Sequence, residues 1–79
     1  MARRYPLYLK KRTATVSDFG GTALTILRLQ ADGLSVNQIA QSLGMKPFTV
    51  SYHIQENYRK LNVSRKADAL LAARSLGIL

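Results

Sequence analysis

The 79-residue chain has no cysteine, no tryptophan, two prolines and one histidine, and its four acidic side chains face twelve lysines and arginines. Without cysteine there is no disulfide, thiolate metal site or redox centre, so apolar packing has to hold the fold. One histidine and four scattered carboxylates leave little raw material for acid–base catalysis or a metal-ligand set. No enzyme is expected, and no cofactor or metal. No apolar run approaches the roughly 18 residues of a membrane span. The first twelve residues mix Arg and Lys with Tyr, Pro and Leu and lack the apolar core of a signal peptide. A cytoplasmic protein with no membrane partner is expected.

What the chain does have is apolar content and positive charge. Hydrophobic residues make up 47%, enough for the single core that a chain of this size can build. The net charge of +8 favours a polyanionic partner. That charge is uneven: Arg3, Arg4, Lys10, Lys11 and Arg12 place +5 in the first twelve residues. Residues 1–18 therefore read as a basic N-terminal arm or linker, with an edge strand as a further reading, because Pro6 argues against a helix. Residues 19–79 read as the folded domain.

Helical periodicity sets in near residue 20, with Ala23, Ile26, Leu27 and Ala31 on one stripe and Gly33 as a stop. Leu24 and Leu29 lie off that stripe, so this first helix, over 21–32, has to be covered on more than one side. Ser35 and Gln38 form a capping box for a second helix over 36–43, in which Val36, Ile39, Ala40 and Leu43 share a face before Gly44. The connection Gly44-Met45-Lys46 leads to Pro47 at a first helical position, and Val50, Ile54, Tyr58 and Leu61 mark the inner face of a third helix over 47–61. Two helices joined by such a short, glycine-containing turn form a helix-turn-helix. Ser64 is expected to cap a fourth helix over 65–76, closed by Gly77. The predicted architecture is all-α, with four helices.

If Val50, Ile54, Tyr58 and Leu61 face inward, then Phe48, Ser51, Tyr52, Gln55 and Arg59 face outward. A helix in the major groove of double-stranded DNA needs short or amide side chains at base edges, and Gln55 can bond an adenine bidentately. Ser51, Tyr52 and Gln55 are the candidate base readers. Phe48 has either a thymine methyl or a neighbouring loop as its contact. Lys46, Thr49, Arg59 and Lys60 flank that face as candidate phosphate contacts, and Asn37 adds a fifth at the start of the second helix. For Arg59 and Lys60 the plain alternative is a solvated charged face, and for Asn37 a capping-turn residue. His53, beside Val50 and Ile54, reads as a half-buried structural imidazole, and Glu56 as a residue that repels wrong bases, accepts from a cytosine amino group, or pairs with Lys60 four residues on. On the fourth helix, Ala67, Leu70, Leu71 and Arg74 mark one face and Ala69, Ala72, Ala73 and Leu76 another. The second set is read as a homodimer contact, which would space two third helices about 34 Å apart on an inverted repeat, the plain alternative being the good helix propensity of alanine.

The stretch Ile26-Leu27-Arg28-Leu29, Ala31-Asp32-Gly33-Leu34-Ser35, Asn37-Gln38-Ile39-Ala40, Leu43-Gly44, Thr49-Val50 with His53, Tyr58-Arg59-Lys60-Leu61 with Val63, and Ala67-Asp68-Ala69 resembles the LuxR/FixJ (GerE-type) DNA-binding domain of bacterial transcription regulators. The resemblance covers residues 19–79. It implies four helices, with the second and third as the DNA-reading unit and the fourth commonly in a dimer contact. Four departures stand out. Gly20, Gly21 and Ala23 replace the usual capped, acidic start of the first helix, Asn57 replaces an aliphatic residue, Arg65 replaces a small polar cap, and Ser51 replaces a frequent Lys. The expected function is sequence-specific binding of double-stranded DNA by a transcription regulator. The alternative is a protein-interaction module of the same fold with weak, non-specific DNA binding; no small-molecule ligand is expected in either case.

Overall fold

The computed structural model describes residues 18–79, and the basic-arm reading of residues 1–18 lies outside them except for Asp18. Among the described residues four helices follow one another: α1 (Gly21–Ala31), α2 (Val36–Leu43), α3 (Pro47–Leu61) and α4 (Lys66–Ser75). Among the described residues there is no strand, and no helix is long and apolar enough to cross a membrane.

Local chemistry sets the helix ends. Ser35 accepts from the Gln38 backbone N–H at 3.2 Å while the Ser35 N–H donates to Gln38 Oε1 at 2.8 Å, closing the expected capping box of α2. All four helices stop the same way. A residue with positive φ (Gly33, Gly44, Asn62 and Gly77) reverses the chain, and the next N–H reaches back to the helix, as Met45 does to the Ala40 carbonyl at 2.9 Å. The residue carrying that N–H is apolar each time: Leu34, Met45, Val63 and Ile78 all turn into the core. Helix starts are less uniform. Gly20 caps α1 without a side-chain bond. At α4 the cap position falls on Arg65, whose side chain makes no cap bond, and not on Ser64 as expected. Arg65 instead pairs with Asp68 in the first turn, Nε to Oδ2 at 3.4 Å.

The core has two lobes. Ile26, Ile39, Ala40 and Val50 join α1, α2 and α3, and Leu29, Leu43, Met45 and Ile54 pack around them. Phe19, Ala23, Leu27, Leu61, Ala69, Ala73 and Ile78 join the chain before α1 to α1, α3 and α4. Ile26 and Leu27 are adjacent and fully buried in different lobes, which is why α1 is apolar nearly all round. Between the lobes, the buried Asn57 on α3 donates from Nδ2 to the Ala23 carbonyl of α1 at 3.2 Å.

The fourth helix corrects the expected dimer contact. Ala69 and Ala73 have no exposed surface, and Ala72 and Leu76 pack against the same lobe. These four residues are the domain's own core face, because the small side chains of Ala69 and Ala73 let α4 lie close against α1 and α3. The opposite face is the wet one: Ala67 and Arg74 are exposed, and Leu71 is 60% exposed. Ala73→Arg should therefore cost at least about 3 kcal/mol by overpacking and burying a charge, whereas Leu71→Arg should leave stability within about 0.5 kcal/mol. Thermal or urea unfolding of the two variants checks this.

Candidate nucleic-acid interface

The outer surface of α3 is fixed by what its inner surface must do. Val50 is fully buried in one lobe and Leu61 in the other, while Ile54 and Tyr58 pack against them. That phase turns Phe48, Tyr52, Gln55 and Arg59 into one solvent-facing stripe, with Ser51 and Thr49 half-buried on its flanks. Phe48 is 80% exposed and Tyr52 56%. Tyr52 leans on its neighbour: its ring meets His53 edge-to-face, centroids 5.7 Å apart at 68°. His53 itself is half-buried and lines a shallow groove against the start of α1 with Gly20, Gly21 and Thr22.

The turn presents the N-terminal end of this stripe. Gly44 sits at φ 66 and ψ 34, a left-handed conformation that favours glycine, and Met45 anchors in the core. Lys46 then takes the cap position of α3, its side chain exposed and its carbonyl accepting from Thr49 and Val50 at 2.9 and 3.1 Å. Asn37 is exposed in the first turn of α2.

The charged residues of α3 differ in what already occupies them. Arg59 Nη2 donates to Glu56 Oε1 at 2.6 Å, so Glu56 pairs three residues on and not with Lys60. That hydrogen bond, aided by the guanidinium charge, holds the Glu56 carboxyl below its ordinary value and raises the guanidinium in turn. The pair is solvent-exposed, so it contributes little to stability but masks a cation on the outer stripe. Lys60 points away from the stripe. Its Nζ donates to the Asp18 carbonyl at 2.9 Å and lies 5.5 Å from the centre of the Phe19 ring, tying the chain before α1 onto α3. Of the predicted phosphate contacts, Lys46, Thr49 and Asn37 thus border the turn and Arg59 lies on the stripe, while Lys60 is set apart from them. Neither Lys60's anchoring role nor the Asn57 bond to α1 was assigned from the sequence. Asn57 carried a signal, as the one strongly polar residue at the inward phase of α3.

A short helix, a left-handed glycine turn and a second helix with a polar, aromatic and basic outer face define a helix-turn-helix domain. The family model for bacterial regulatory proteins of the luxR family (GerE) matches residues 22–73. The chain belongs to this family. It is 40% identical over 53 residues to the transcriptional activator protein AnoR of Acinetobacter nosocomialis, covering 67% of this chain and 22% of that protein. It is also 37% identical over 51 residues to the HTH-type transcriptional regulator MalT of Vibrio campbellii, covering 65% of this chain and 6% of that one. The chain thus spans less than a quarter of the length of these curated relatives.

Arg59 and Lys60 should separate experimentally. Arg59→Ala should leave the melting temperature unchanged and lower the salt slope of duplex binding by about one unit. Lys60→Ala should instead lower the melting temperature. Glu56→Gln, which releases Arg59, should steepen the salt slope. Thermal melts and binding isotherms across a salt series read all three.

Proposed function

We propose that this chain is the sequence-specific, double-stranded-DNA-binding domain of a bacterial transcription regulator, with α3 in the major groove. The observation that carries the reading is the outer stripe of α3: a row of exposed side chains in a chain of net charge +8. Membership of a regulator family and two relatives named as transcriptional regulators support it. Such a reader would act in the bacterial cytoplasm, without catalysis.

Affinity and sequence choice come from different residues. Lys46, Thr49, Asn37 and Arg59 would neutralise or bond phosphates, releasing counterions and fixing register; Arg59 must first exchange Glu56 for a phosphate. Gln55, exposed at the centre of the stripe, would bond an adenine by donating from its amide N–H and accepting at its amide oxygen. Tyr52, steadied by His53, and the short Ser51 would complete the base-facing set. Ser51 leaves room where a Lys would add charge, so discrimination would rest more heavily on Gln55 and the aromatic residues.

Assembly on DNA as a homodimer fits the exposed face of α4, with Ala67, Leu71 and Arg74 in place of the small-residue face that the core consumes. Two domains so joined would place their α3 helices about 34 Å apart on an inverted repeat. One short helix pair buries less than the roughly 1,200 Å² of a stable interface, so the dimer would form on DNA and not in dilute solution.

Selection from a randomised duplex pool tests the reading, and an enriched sequence with strongly salt-dependent affinity is the expected result. Binding that is equally weak to every duplex would favour the protein-interaction module instead. On the enriched site, Gln55→Ala should cost about 1–3 kcal/mol and relax preference at one base position. An unchanged selection profile for that variant would remove Gln55 from the readers.

A further inference from the structure

Phe48 is the most exposed large apolar side chain among the described residues, at 80%. It lies one residue after Pro47 in the first turn of α3, beyond the exposed Lys46, and shares its stripe with Tyr52, Gln55 and Arg59. Tyr52 rests on His53 and Phe19 lies under Lys60, but Phe48 takes part in neither of these ring contacts and belongs to neither core lobe. Leaving a phenyl ring in water forgoes the burial that otherwise stabilises it, and nothing in the packing of the described residues requires it there.

Resting on the DNA-binding reading above, we propose that Phe48 reads thymine through its 5-methyl group. The position favours bases over backbone, because the N-terminal residues of a recognition helix are those that reach base edges. A phenyl ring has no hydrogen bond to offer, and the thymine methyl is the apolar feature that the major groove presents. The surrounding charge selects DNA over an apolar protein partner. Lys46 stands two residues before Phe48, and the nearest carboxylate on the helix, Glu56, is already held by Arg59. Gln55 follows about two helical turns later, so the methyl-dependent base should fall within about three base pairs of the one Gln55 reads.

The test uses the full chain and the duplex enriched by selection, with each thymine replaced singly by uracil, which removes the methyl and keeps every hydrogen-bonding group. Wild type, Phe48→Ala and Phe48→Leu are titrated at one salt concentration. For wild type, one replacement in the expected register should weaken binding about fourfold, the worth of one buried methyl. Phe48→Ala should bind thymine and uracil duplexes alike at that position and keep its response to Gln55-dependent changes, while Phe48→Leu should retain part of the methyl preference. Because the ring is exposed, both variants should melt at the wild-type temperature. The inference is overturned if no replacement affects wild type, if the sensitive position is equally sensitive in Phe48→Ala, or if the selected site holds no thymine in that register. In each of these cases the DNA-binding reading survives. If wild type enriches no duplex, both fall together.

Discussion

Everything that α3 offers to solvent depends on how it is held against α1. Two lobes of the core grip α3 at opposite ends, Val50 in one and Leu61 in the other, and α1 answers with the adjacent pair Ile26 and Leu27. Between these grips the Asn57 amide donates to the Ala23 carbonyl. Asn57 Oδ1 has no protein partner among the described residues, so the contact is costlier than an aliphatic one would be. A hydrogen bond nevertheless fixes distance and direction where a methyl group would only fill space. The two lobes set the helix's rotation at both ends, and rotation decides which side chains form the outer stripe.

The domain separates tasks along a single helix. The N-terminal part of α3 carries the exposed, uncharged Phe48, Tyr52 and Gln55 with Ser51 half-buried beside them, and the C-terminal part carries Glu56, Arg59 and Lys60. Within α3 the charged side chains fall in its C-terminal part, while Lys46 caps its start. Lys60 is further diverted into holding Asp18 and Phe19, which makes the start of the domain part of the α3 surface.

Local signals carried most of the architecture. Ser35 with Gln38, the glycines 33, 44 and 77, and Pro47 each act within a few residues, and the ends of α2 and α3 fall at residues 36, 43, 47 and 61, where periodicity puts them. The outward phase of Phe48, Tyr52 and Gln55 was legible for the same reason. The face of α4 was not. With apolar side chains on both sides of that helix, sequence alone does not say how closely it approaches α1 and α3, and close approach is what turns Ala69 and Ala73 into core. Long-range partners were equally hidden: Lys60 bonds a carbonyl 42 positions earlier in the chain, and no periodicity reports such a contact. Glu56 could have paired with either Arg59 or Lys60, and Lys60's commitment to Asp18 leaves it with Arg59.

The central claim is that the outer stripe of α3 meets the major groove, and NMR titration of the isotope-labelled domain with its selected duplex tests it most directly. Backbone and side-chain shifts should concentrate on Asn37, on Lys46 to Tyr52 and on the Gln55 side-chain amide, with the exposed face of α4 unaffected on a single half-site. Shifts confined to the Leu71 face of α4 or to α1, with Gln55 unmoved at saturation, would contradict it.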